Sequence, residues 1–345
     1  MIRVRELRKH YQVHERPPGI AAAFRSVFHR EYKTVAAVDG IDFTIDAGER
    51  VGFLGPNGAG KTTTLKLLAG LLHPTSGEVS VDGHEPRRRD EAYLKKIMLV
   101  LGQKQQLLWD LPPSETFELN RAVYGVPRAQ FLETMGELST LLELGDLVKR
   151  PTRTLSLGER MKCELAAALV HRPKVLFLDE PTIGLDVSMQ ATVRGFVQRY
   201  NERYGATLIL TSHYMEDVQR LCPRVIVIDK GKLVYDGPLD ELVTRIRPDK
   251  RIILRFSRPV DEVDVASLGT IVRGAEGGGH DGEAAAGGAI PGGSSWSVAL
   301  DVHVDAVNRV VTEALTRLPV RDLTVESPPL EEVMSELFAR GRAAP

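Results

Sequence analysis

Apolar and polar positions alternate strictly through Ile41-Asp42-Phe43-Thr44-Ile45-Asp46, the period of a strand with one buried face, and Ala47-Gly48-Glu49 supplies a turn. Arg50-Val51-Gly52-Phe53-Leu54 is a short run that predicts a buried strand, and 64–72 then carries apolar residues at helical spacing. Residues 2–53 are thus β-rich, interrupted at 14–34. There Pro17-Pro18-Gly19 opens a segment with Ile20, Phe24, Val27 and Phe28 at helical spacing, accompanied by Arg25, Arg30 and Lys33. A short surface helix lying on its own domain is expected, with contact to a partner or lipid headgroups as the alternative. Helical patterns dominate 91–171. Beyond them the order is strand 175–178, helix 188–204, strand 207–210, helix 215–221 and strand 225–228. That alternation predicts a parallel sheet with crossover helices. Lys230-Gly231-Lys232 leads into Leu233-Val234-Tyr235 as a hairpin.

The pattern changes at Arg247-Pro248. Strands are predicted at 250–256, 296–302 and 322–326, and helices at 304–317 and 330–340. A stretch rich in Gly, Ala and Ser, 274–295, predicts a flexible loop. The chain therefore divides into a first domain, 1–247, and a small α+β appendage, 248–345, that would regulate or dimerise. Leu330, Val333, Met334 and Leu337 form an apolar stripe at i, i+3, i+4 and i+7. It must be buried, on the appendage's own sheet or on a partner's.

Composition narrows the class. Forty-five basic residues against 46 acidic ones leave no net field favouring a nucleic-acid backbone, so no nucleic-acid partner is expected. Two isolated cysteines, Cys163 and Cys222, suggest a reducing compartment and offer no metal site. No apolar run approaches the ~18 residues of a membrane span, and Met1-Ile2-Arg3-Val4-Arg5 does not open a signal peptide. Any membrane role is expected to come through a partner.

The chemistry is concentrated in two places. Gly55-Pro56-Asn57-Gly58-Ala59-Gly60-Lys61-Thr62-Thr63 lies between the predicted strand and helix. In that context successive backbone N–H groups and a helix N-terminus cradle phosphates, Lys61 reaches the outer ones and the Thr62 hydroxyl can ligate Mg²⁺. Val175-Leu176-Phe177-Leu178-Asp179-Glu180 delivers two carboxylates at the end of a buried strand, where ligands bind in parallel sheets. Asp179 suits Mg²⁺, directly or through water, and Glu180 suits polarisation of the attacking water. The pair of motifs implies binding of a nucleoside triphosphate.

With these in place, Leu155-Ser156-Leu157-Gly158-Glu159-Arg160 resembles the signature motif of the ATP-binding cassette family. Leu157-Gly158-Glu159 stands where the family has Gly-Gly-Gln, keeping Ser156 and Gly158 but altering position 159. On its own the stretch also reads as a helix cap, Ser followed three residues later by Glu. The resemblance covers about 2–240 and implies ATP and Mg²⁺ as ligands. It also implies a P-loop fold with a mixed core sheet, an antiparallel β subdomain and a helical subdomain near 104–171. It assigns Gln103 to Mg²⁺ and water sensing, with Gln105 and Gln106 as competing candidates, and His213 to γ-phosphate contact. Asp186, in Gly184-Leu185-Asp186, becomes a residue communicating across a dimer, and Tyr11 a stacking partner for adenine or, alternatively, a core residue. Ser156, Gly158 and Glu159 would cover ATP held by a second ATPase subunit. The ending Glu326-Ser327-Pro328-Pro329-Leu330-Glu331-Glu332-Val333 resembles bacterial exporter ATPases of the daunorubicin-resistance, sodium-export and viologen-export group. That likeness implies a separate membrane permease as partner and a place on the cytoplasmic face of the membrane. Stretch 104–140 would then face the permease, with Trp109 as an anchor or a core residue. A soluble cassette ATPase of translation or DNA repair is the alternative, but fused cassettes, zinc motifs and long coiled coils are lacking. A P-loop kinase would leave 155–160 unexplained.

Overall fold

The computed structural model of the chain describes residues 1–14, 32–102, 106–272 and 294–343. The apolar positions of the expected helix within 14–34, Gln103, Gln105 and nearly all of the 274–295 loop lie outside these residues, while His14 and 32–34 belong to strands. The chain divides into two compact units, Met1–Leu239 and Asp240–Pro345. The sequence placed the join at 247/248, the other end of a helix, Leu239–Ile246, that its pattern had not revealed.

In the first unit, β1 (Ile2–His14), β2 (Tyr32–Ile45) and β4 (Ser76–Val81) form an antiparallel sheet in the order β2-β1-β4. The alternation at 41–46 holds: Ile41, Phe43 and Ile45 are buried, and Asp42, Thr44 and Asp46 exposed. Their buried face shares a core with β3 (Arg50–Leu54), where the Phe43 and Phe53 rings lie 5.9 Å apart.

The central sheet adds β5 (Ile97–Leu101), β6 (Val175–Asp179), β7 (Thr207–Thr211), β8 (Arg224–Asp229) and β9 (Lys232–Pro238), in the order β5-β6-β7-β3-β8-β9. Five strands are parallel and β9 returns antiparallel as the expected hairpin, so the sheet is mixed. Strands β6 and β7 are buried at every residue, because crossover helices cover both faces of a parallel sheet. β5 lies within 91–171, where helical patterns dominate the sequence. Five consecutive apolar residues carry no period, and only pairing with β6 makes Ile97–Leu101 a strand. Helices Pro113–Val123, Arg128–Leu142 and Leu157–Leu169 form the helical subdomain.

In the second unit β10 (Asp249–Asp261), β11 (Thr270–Val272), β12 (Ser294–His303) and β13 (Val320–Glu326) pair antiparallel in the order β11-β12-β10-β13. Ile252, Leu254 and Phe256 alternate inward and, with Val298 and Leu300, pack on Val310 and Ala314 of helix Val307–Arg317. The tail helix Leu330–Ala343 is tied to the sheet through charge. The nearly buried Arg251 guanidinium donates to Asp301 at 2.9 Å and to Glu332 at 2.9 and 3.0 Å, and these carboxylates raise its pKa. Leu330, Val333 and Met334 are buried within the single chain.

Candidate active site

Three neighbouring strands of the central sheet, β6, β7 and β3, end at the same edge, and each releases part of the site there. β3 runs into the glycine loop, β6 ends on Asp179, and β7 leads to Ser212 and His213. The carboxyl edge of a parallel sheet is where such ends converge on a ligand. A cavity of about 370 Å³ lies there, lined by residues 57–63 together with Lys66, Gly102, Asp179, Glu180 and His213.

The loop closes on helix Lys61–Leu68 through Gly60, whose φ of 110° only glycine adopts readily. A side chain at Gly60 would also stand 2.3 Å from the Ala37 carbonyl oxygen. Lys61 Nζ donates to the carbonyls of Gly55 at 2.6 Å and Pro56 at 3.2 Å, which holds its charge at the loop. Burial lowers the lysine pKa, opposed by the nearby charges of Glu180 and Asp179. Asp179 Oδ1 accepts from the Thr211 hydroxyl at 2.7 Å and the Thr62 hydroxyl at 3.2 Å. A carboxylate beside a hydroxyl is a hard-oxygen pair that fits Mg²⁺, which takes few protein ligands and completes its shell with phosphate and water.

Glu180 has φ 58°, a left-handed conformation that costs a non-glycine residue about 1 kcal/mol or more. Its N–H donates to the Thr211 carbonyl at 3.1 Å, and Gly102 fits against its carbonyl so closely that a Cβ would come within 2.0 Å. The twist turns the Glu180 carboxylate to His213: Oε2 accepts from the His213 N–H at 3.0 Å, and Oε1 lies 3.3 Å from Nε2. Burial raises the Glu180 pKa while His213 and Lys61 hold it down, so the carboxylate is a stronger base than an exposed glutamate. Behind this pair sits fully buried Asp217, which the sequence reading missed. It accepts from Arg194 at 2.8 Å, Ser212 at 2.8 Å and Thr182, and so braces the residues following Glu180 and preceding His213. Its only sequence signal is an acid four residues after the histidine on an otherwise ordinary helix.

The signature residues form a second cluster away from this cavity. Ser156 caps helix Leu157–Leu169 in a full capping box: its hydroxyl accepts from the Glu159 N–H at 3.2 Å, and Glu159 Oε2 accepts from the Ser156 N–H at 2.8 Å. That bond, with Arg150 nearby, lowers the Glu159 pKa and explains the acid at the altered position. Gly158 packs on the Met189 side chain, and the Met189 N–H donates at 2.8 Å to Asp186, the N-cap of helix Val187–Tyr204. Ser156, Gly158, Glu159 and Asp186 are thus brought to one patch, and none of them lines the cavity. Tyr11 does not line it either; it lies on β1 with Lys9 Nζ 5.1 Å from its ring centre. Gln106 donates from its side chain to the Leu99 carbonyl at 3.4 Å.

The chain belongs to the ABC transporter ATPase family: it is a P-loop ATPase that binds and hydrolyses ATP as a subunit of a transporter. Residues 38–183 match the ABC transporter family, and 248–326 the EvrA-like ABC transporter C-terminal domain. It is 36% identical to the ABC transporter ATP-binding protein NatA of Bacillus subtilis over 62% of this chain and 87% of that one. It is also 36% identical to the daunorubicin resistance ATP-binding protein DrrA3 of Streptomyces coeruleorubidus, over 66% and 71%. The methionine import ATP-binding protein MetN 2 of Bacillus licheniformis is 33% identical over 68% of this chain and 70% of that one. The fold matches the dimeric post-hydrolysis cassette MJ0796 bound to ADP and Pi with a TM-score of 0.57 and 23% identity, over 69% of this chain and 99% of that one.

Proposed function

We propose that this ATPase powers an exporter, acting as a head-to-tail pair of cassettes on a separate membrane permease at the cytoplasmic face. The observation that carries the pairing is the separation of the signature patch from the cavity. The cavity supplies Lys61, Thr62, Asp179, Glu180 and His213, while Ser156 and Gly158 open outward at a helix N-terminus suited to an anion. A second copy, turned about, would bring its Ser156 over the phosphates held by residues 55–63. Lys61 and the loop N–H groups would then bind and orient the β- and γ-phosphates, and Glu180 would take the proton from the attacking water. His213, hydrogen-bonded to Glu180, would fix that water's line of approach. Thr62 and Asp179 would hold Mg²⁺, which when bound would neutralise phosphate charge; Gln103, the further ligand that the family resemblance implies, lies outside the described residues. Closure around ATP excludes water and couples hydrolysis to reopening. The permease reading is supported by Leu108, Trp109 and Leu111, large apolar side chains exposed within four residues on the helical subdomain. The resistance protein among its relatives supports export.

The test is to purify the chain in mild detergent from its own host and to assay ATP-driven uptake in inverted membrane vesicles. A co-purifying polytopic permease and accumulation inside inverted vesicles are expected. Ribosomes or nucleic acid in place of a permease would overturn the reading, and ATP-driven uptake in right-side-out vesicles loaded with ATP would reverse the direction.

A further inference from the structure

Between β5 and helix Pro113–Val123, residues 106–111 cross the surface as a strap without regular structure. Several of its backbone groups are nonetheless bonded. The Gln106 N–H donates to both Glu164 carboxylate oxygens at 3.0 Å, and the Leu107 N–H to Glu164 Oε1 at 3.3 Å. The Leu108 N–H donates to the Thr116 hydroxyl at 3.2 Å. The Trp109 carbonyl accepts from the Arg153 N–H at 3.0 Å, and the Leu111 carbonyl from the Thr152 N–H at 3.0 Å and its hydroxyl at 2.9 Å. The Arg160 guanidinium lies 5.9 Å from the Trp109 ring centre. Most of these fastenings come from 152–164, the segment that contains Ser156 and Gly158.

Glu164 is the charged and buried one among them. It is 5% exposed, on the inner face of helix Leu157–Leu169, two turns beyond Ser156. A carboxylate is not placed there for packing, since burying it costs several kcal/mol unless its oxygens are satisfied. Two consecutive backbone N–H groups satisfy them, and charge-assisted bonds of this kind are about twice as strong as neutral ones. Gly102, against the Glu180 carbonyl, is four positions before the strap begins.

We propose that Glu164 is a positioning residue that fastens strap 106–111 to the signature helix, so that Leu108, Trp109 and Leu111 move with Ser156 and Gly158 as one body. The fastening sets where Ser156 stands when ATP is bound, and therefore acts on turnover and not on binding at the phosphate loop. That the body transmits a push from a permease rests on the proposed function above; the fastening does not.

The experiment uses the full chain alone. Of the two tryptophans, Trp296 is changed to Phe so that emission reports Trp109. Glu164→Gln should lower kcat about tenfold, the scale of a lost charge-assisted bond, with KM for ATP within about twofold. Trp109 anisotropy should fall, and its MgATP-induced change should be lost. Glu164→Asp, which keeps the charge on a shorter arm, should restore part of both signals. A folded Glu164→Gln protein with normal kcat and an unchanged Trp109 response overturns the proposal. If that variant does not fold, hydrogen exchange on the wild type decides. Peptides covering 106–111 and 157–169 should change protection together on adding MgATP, and independent responses overturn the proposal. A permease that co-purifies while these signals are absent sinks the fastening alone.

Discussion

In the cavity, the groups proposed as catalytic hold one another: Lys61 is anchored on its own loop, Asp179 on Thr62 and Thr211, and Glu180 on His213. At the signature patch, Ser156, Glu159 and Asp186 bond to the helix ends they cap and present the rest of their surface outward. The first region is preorganised to act on charge that develops in a reaction, which is where fixed groups are worth most. The second is a stable shape at an exposed helix N-terminus, where a phosphate from outside would be favoured. On the proposed function, one region carries chemistry and the other recognition, so substitutions in them should separate turnover from binding.

The comparison breaks most visibly at Glu180. Glu180→Gln should retain ATP binding while single-turnover hydrolysis falls by about 10²–10⁴-fold, the scale for removing a general base. Normal hydrolysis would move the base elsewhere. Because burial raises the Glu180 pKa and the base must be deprotonated, the acid limb of the wild-type rate profile should lie above the usual glutamate range of about 4.3. At the signature patch, Ser156→Gly keeps a workable helix cap at a cost of a few tenths of a kcal/mol. It should leave ATP affinity unchanged and lower kcat by about 10²-fold, as loss of one anion donor does. Weaker ATP binding to the isolated chain at low concentration would erase the distinction between the regions.

The smallest effect concerns the frame that the regions share. His171, just past helix Leu157–Leu169, stacks on Tyr124 with ring centres 3.8 Å apart and lies 3.2 Å from the carbonyl of Ile97, the first residue of β5. Burial pushes its pKa down to about 4. The unfolded chain therefore binds the extra proton first, and stability is lost as pH falls from about 6.5 toward 4, by at most about 3 kcal/mol. Urea unfolding of the wild type and His171→Phe at several pH values should show a shallower acid loss in the variant. Equal slopes would remove His171 as the cause.

Much of this was legible in residue order. A glycine loop between a buried strand and a helix, and two acids ending Val175–Asp179 and its next residue, are local patterns whose backbone consequences do not depend on the remainder of the chain. The hairpin at 230–235 and the alternation at 41–46 are likewise local. The appendage's strands were visible too, but not the Arg251 cluster with Asp301 and Glu332, whose members are 50 and 81 positions apart.

Residue order alone pointed to the groups proposed to meet a nucleotide: residues 55–63, Asp179, Glu180, His213, and the capped helix at Ser156. Short-range sterics and hydrogen bonding suffice for that, because each motif is read within a few residues. Tertiary pairing was needed for β3, β6 and β7 to end together and for Gly102 to make room for the turned Glu180. The tertiary structure alone placed Ser156 on a different patch from Lys61 and buried Glu164 under the strap. Those outcomes depend on strand order and on which faces are covered, and burial and pairing between distant segments, not the local pattern, set both.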